Sequence, residues 1–267
     1  MNPVVFKFAS IELHAFTAWI MLGVAIGGAV LVISAARSRQ RISPLLDVIL
    51  AGVIGGIIGA RAVHVWLNWG YFAAHTDQIT DLANGGLDWH GAIVVGLAAA
   101  LVVARLRGVS ILLLVDGLAL ALPFGAMASW QACAAATCGY GVEVRTLADF
   151  PSWLVIESPD IYGTVAPRLN LPPIGIVLAV VILLLVVLLT VFNSLSGSRL
   201  WLVLALFAEA MAIIAFFRAE YVPLWFGHRA DQILDFVVAF VSIVIFGVAA
   251  VLHRRRFAAH RVIEQGA

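Results

Sequence analysis

Apolar residues in this chain fall in long unbroken runs. Seven stand out, at about 12–35, 45–69, 89–104, 109–130, 172–194, 200–217 and 231–252. Most approach the roughly 20 residues a helix needs to cross a hydrocarbon layer, the third being the shortest. Because the runs are continuous and lack period-two alternation, they predict helices and not a membrane β-barrel. The expected fold is all-α: a polytopic membrane protein of seven transmembrane helices. It forms a single integral membrane domain over 1–267, with about 131–171 as an extracytoplasmic cap. That loop is too short for an independent domain.

Composition agrees with the pattern. The chain is 63% hydrophobic and 12% charged, where globular proteins are about half apolar and a quarter charged. A net charge of +1 says nothing about nucleic acid, and no nucleic-acid partner is expected; the placement of the charges is what informs. Arg37, Arg39 and Arg41 follow the first run, Arg105 and Arg107 the third, Arg199 the fifth, and Arg254, Arg255, Arg256 and Arg261 the seventh. The opposite loops are poorer in arginine, so the positive-inside rule puts the N-terminus outside and the C-terminus in the cytoplasm. The first run is long and its cations follow it, which does not fit a cleavable signal peptide. Cys133 and Cys138 are too few for a disulfide framework or a zinc site; they are a loop staple or two free thiols. No metal or cofactor is indicated.

The most informative stretch is Asn84-Gly85-Gly86-Leu87-Asp88-Trp89-His90-Gly91. Asp88 is placed to N-cap a helix starting at Trp89. Gly85 and Gly86 permit a tight loop. His90 then falls in the first helical turn, where the helix dipole favours a neutral imidazole, which is a base. An interfacial histidine held by hydrogen bonds is the plainer alternative.

Ionisable residues at membrane depth are costly and usually face a bundle interior. Arg61 lies about 12 Å below Trp69 by helical rise. It heads a polar stripe with His64 and Asn68. Glu209 and Asp116 sit within later runs, and His228, Asp231, Gln232 and Asp235 gather at the start of the seventh. Arg61 is either paired with Glu209 or Asp116, or joins Arg218 in holding a lipid phosphate, to which a guanidinium is suited. Asp116 as a transporter's proton relay is a further alternative, without the paired broken helices such proteins often carry. Gly52, Gly55, Gly56 and Gly59 predict close packing on a neighbour, with Gly23 and Gly27 of the first helix as the partner face.

These residues resemble, in order, those of the bacterial prolipoprotein diacylglyceryl transferases. Gly85-Gly86-Leu87-Asp88-Trp89-His90-Gly91 is similar to that family's glycine-histidine stretch. Ile58-Gly59-Ala60-Arg61, Leu122-Pro123-Phe124-Gly125, Phe216-Phe217-Arg218 and Asp231-Gln232-Ile233-Leu234-Asp235 fit further segments, and Leu13-His14 the start. The resemblance implies a transferase that moves the diacylglyceryl group of phosphatidylglycerol to the lipobox cysteine of a prolipoprotein, in a bacterial cytoplasmic membrane. It implies His90 as catalytic base and Arg61, Arg218, Asp116, Gly86, Gly91 and Gln232 as substrate-binding. The expected partners are phosphatidylglycerol or another anionic phospholipid and the prolipoprotein signal peptide. The chain departs from the pattern at Trp130, Cys133 and Cys138, which stand where the family carries an arginine, an asparagine and a glutamate. Met211 and Ala215 replace an arginine and a glutamate, and Phe16 a tyrosine. A relative that binds phospholipid or lipoprotein without turnover is therefore the alternative reading.

Overall fold

A computed structural model describes all residues except 1–2, 9–10, 83–84, 161 and 266–267, and no side chains at 8, 11 or 253–265. Asn84 and the Arg254, Arg255, Arg256 and Arg261 side chains thus lie outside the described residues. The protein is mostly helical: α1 Ala15–Arg37, α2 Ile42–Leu67, the short α3 Trp69–Phe72, α4 Trp89–Arg107, α5 Ile111–Ala136, α6 Leu171–Val191, α7 Arg199–Ala215 and α8 Ala230–Gln265. Three antiparallel two-stranded hairpins decorate the connections: β1 Val4–Phe8 with β2 Ile11–His14, β3 Val155–Pro159 with β4 Val165–Leu169, and β5 Leu224–Trp225 with β6 His228–Arg229.

Six helices among the described residues are long and apolar enough to cross a membrane: α1, α2, α4, α5, α6 and the Ala230–Leu252 part of α8. The seventh expected span, α7, is only 17 residues. The expectation that the third run would be shortest is corrected, because α4 extends to Arg107 and reaches 19 residues. The fifth helix likewise absorbs the first six residues assigned to a cap and ends at Ala136.

Small residues decide which helices meet. A side chain on Gly59 would strike the Gly91 carbonyl and Val95, and one on Gly55 would meet Ala99, so α2 crosses α4 backbone to backbone. The expected α2–α1 glycine pairing is therefore not the one formed. Gly23 and Gly27 of α1 instead face Ala128, Gly125 and Ala121 of α5. Glycines give close approach to whichever neighbour also carries small residues, and here both partners are later in the chain.

Alternation of the helices brings the starts of α4 and α8 together with the ends of α2, α5 and α7. A cluster of Trp130, Leu171, Met211 and Ile214, with Trp89 and Phe207 against it, packs this end. Leu31, Ala35, Leu45, Val48, Ala104 and Leu114 pack the opposite end.

Candidate active site

His90 owes its position to two local devices. Asp88 caps α4 as expected, its carboxylate accepting from the His90 and Gly91 backbone N–H groups. The loop before it turns through Gly85 and Gly86 at φ +82° and +76°, a region that suits glycine. A Cβ on Gly86 would also run into the Arg61 and His64 side chains.

The Arg61 guanidinium explains that crowding. It donates through Nε to the Ile79 carbonyl (2.8 Å), through Nη1 to those of Gly85 (2.8 Å) and Gly86 (3.0 Å), and through Nη2 to Gln78 (2.6 Å). It also lies 5.2 Å from the Phe72 ring centroid. The expected pairing with Glu209 or Asp116 is absent among the described residues: Glu209 is exposed on α7, and Asp116 is at the far end beside Arg199. All four of these Arg61 hydrogen bonds go to main-chain carbonyls. A cavity of about 260 Å³ opens beside it, lined by His64, Phe72, Asp81 and Gly86.

The imidazole of His90 is only 4% exposed. Its Nδ1 lies 2.9 Å from Asp88 Oδ1 and its Nε2 lies 2.9 Å from Asp235 Oδ1. Both ring nitrogens therefore face carboxyl oxygens. A neutral imidazole carries one N–H, so joining both nitrogens to carboxyl oxygens needs a second proton, on the ring or on a carboxyl. The three groups form one proton-sharing unit buried at the helix ends.

An ion network adjoins it. Arg218 is paired with Glu220 and, at 3.5 Å, with Asp231. Arg229 holds Asp231 at 2.9 Å and donates to the Arg218 and Glu220 carbonyls, each at 3.1 Å. Burial works against the Arg218 charge, but Glu220 and then Asp231 outweigh it and hold its pKa above the ordinary arginine value. Glu220 also accepts from the Gly139 N–H. That glycine follows the disulfide joining Cys133 and Cys138, which settles the thiol question in favour of a staple.

The other expected residues fall as follows. Asp116 does not reach this site. It binds Ser196 Oγ at 2.6 Å and the Gly197 N–H at 2.8 Å beside Arg199, at the opposite end of the bundle. Gln232 is buried and its amide donates to the Ala212 carbonyl at 3.0 Å, tying α8 to α7. Gly91 is spent on the helix crossing. In the sequence Asp88 reads as a cap, and Asp235 as part of a polar stripe and of a segment fitting the family pattern. The i, i+4 spacing of Asp231 and Asp235, just after Arg229, was the available signal.

A family model described as prolipoprotein diacylglyceryl transferase matches residues 3–248. The chain belongs to that family. Curated relatives named phosphatidylglycerol–prolipoprotein diacylglyceryl transferase include one from Caldanaerobacter subterraneus subsp. tengcongensis, 34% identical over 128 residues, covering 48% of this chain and 50% of the relative. One from Bacillus licheniformis is 31% identical over 116 residues, 43% of each chain. The chain thus spans about half the length of these relatives. Where the family resemblance leads one to expect arginines, Trp130 and Met211 pack against one another's neighbours in a single apolar cluster. A Cβ on Gly175 would collide with the Trp130 indole, so the tryptophan is fitted to its place.

Proposed function

We propose that this protein transfers the diacylglyceryl group of phosphatidylglycerol to the thiol of a lipobox cysteine in a prolipoprotein. In that step a carbon–sulfur bond forms at the glyceryl carbon, the carbon–oxygen bond to phosphate breaks, and glycerol phosphate leaves. The thiol proton must go to a base, and a positioned base is worth about 10²–10⁴-fold. The observation that carries the reading is the buried imidazole of His90 bridged by Asp88 and Asp235 at a membrane-helix end. The base is then the three-group unit as a whole. Asp235 gives Oδ1 to His90 and so belongs to that unit. Arg61, beside its cavity, and Arg218 supply positive charge for the departing phosphate. Gly86 shapes that cavity.

The topology supports the same reading. Arg37, Arg39, Arg41, Arg105, Arg107 and Arg199 all lie at the end opposite His90. The positive-inside rule then makes the His90 end extracytoplasmic, with the N-terminus outside and the C-terminus in the cytoplasm. α7 serves as the seventh span; its 17 residues reach about 25 Å, near the ~30 Å hydrocarbon thickness. The whole forms one integral membrane domain of a bacterial cytoplasmic membrane, with the segment up to about 171 capping the site. A thiol-bearing signal peptide and an anionic phospholipid both have access there.

The test is direct. Purified protein in phosphatidylglycerol vesicles should add a diacylglyceryl mass to a lipobox peptide. An unmodified peptide beside a working positive control overturns the proposal. A second reading has its own observation, the apolar Trp130–Met211 cluster standing where the family pattern has cations. It makes the chain a binder of phospholipid or lipoprotein, and predicts Arg61-dependent lipid binding with no turnover.

A further inference from the structure

The connection from α7 to α8 ends in a hairpin that the chemistry of the site does not use. Leu224 pairs with Arg229 and Trp225 with His228, leaving Phe226-Gly227 as a two-residue loop. Both loop residues are left-handed, at φ +53° and +80°. Such a turn takes asparagine, aspartate or glycine in its first place. A phenylalanine there is a backbone outlier, and an observed outlier points towards function. Phe226 is also 98% exposed, the most exposed large apolar residue described. Asparagine or glycine at this position would remove both the strain and the bare ring.

The neighbours identify what covers it. The Trp225 ring sits 5.2 Å from that of Trp66. Trp66 ends an exposed stripe on α2 that runs through Leu50, Ile54 and Ile58, the face a spanning helix turns to lipid. Directly after the hairpin, α8 opens with exposed Phe236, Val237 and Phe240. The hairpin is therefore continuous with lipid-facing surface on both sides and lies at the level where those helices begin and end. Aromatic side chains at that level partition into the zone between headgroups and acyl chains.

We propose that Phe226, with Leu224 and Trp225, inserts into the bilayer leaflet at the His90 end and anchors the α7–α8 connection there. The anchor is joined to the site. Arg229, in the hairpin's second strand, holds Asp231 and the carbonyls of Arg218 and Glu220. The Ala230 N–H closes the base on the Pro223 carbonyl at 2.8 Å. Depth in the leaflet is thereby passed to the position of Arg218.

The two native cysteines are bonded to each other, so Phe226→Cys adds a single reactive thiol. A nitroxide attached there, in bilayers of phosphatidylglycerol and phosphatidylcholine, should collide with oxygen far more than with a water-soluble nickel chelate. Leu224→Cys repeats the measurement with Phe226 in place, and the same result is expected. Chelate access at either position equal to that of a label free in water overturns the proposal. The readout involves no transfer activity, so it stands or falls apart from the enzymatic reading.

Discussion

At one end of the bundle Asp116 accepts from the Ser196 hydroxyl and the Gly197 N–H, with Arg199 at 3.7 Å. At the other, Asp235 meets an imidazole, and Arg218 and Asp231 stand close by. Both are aspartates near arginines at helix ends. The difference lies in what they hold. Asp116 binds groups that keep their protons near neutrality, and it fastens the loop between α6 and α7 to α5. Asp235 binds the one side-chain type whose proton is exchanged readily in that range. A buried aspartate beside an arginine is thus structural or chemical according to its third partner, and residue type and depth alone do not separate the two.

The largest expected effect tests the chemical end. His90→Gln should lower transfer to a lipobox peptide by at least about hundredfold, while the thermal unfolding midpoint moves little. Retained turnover would remove the proton-sharing unit from the mechanism. Next comes the structural end. Asp116→Ala leaves the buried Arg199 without its carboxylate and should cost about 3 kcal/mol of stability, with the activity of the folded fraction unchanged. Asp116→Asn, which keeps an acceptor for Gly197, should lose less. If Asp116→Ala instead abolished turnover at full stability, the contrast between the ends would collapse.

A third variant acts on the helix crossing beside His90. Gly91→Ala puts a methyl against the Gly59 carbonyl at the α2–α4 crossing. It should cost about 1–3 kcal/mol by overpacking, read as a lowered unfolding midpoint in detergent. The smallest effect sharpens the chemical end. Asp235→Asn keeps the shape but not the charge against His90, and should lower kcat by roughly tenfold, the size of one charged hydrogen bond. An unchanged pH profile and rate would reduce Asp235 to a packing residue.

Much of the fold was legible along the chain because the signals are local. Asp88 as a cap and His90 in the first turn followed from spacing within four residues. Six of the spans followed from run length and hydropathy. Arg61 was singled out rightly as unusual, yet its partners were not readable. It binds main-chain carbonyls of residues 78, 79, 85 and 86, and a carbonyl leaves no mark in the sequence. Asp116 was misplaced for a related reason: depth along a run does not say which end of the bundle holds the site.

By itself the sequence determined that lipid is the solvent for most of this chain, where its helices lie and how α4 begins, since each depends on neighbours a few residues apart. The tertiary structure alone decided that α2 crosses α4 and not α1, and that Trp130 and Met211 share one apolar cluster. It alone set Asp235, 145 residues from His90, against the imidazole. Those pairings are chosen by how whole helices fit side by side, and shape complementarity between distant segments has no period in the chain.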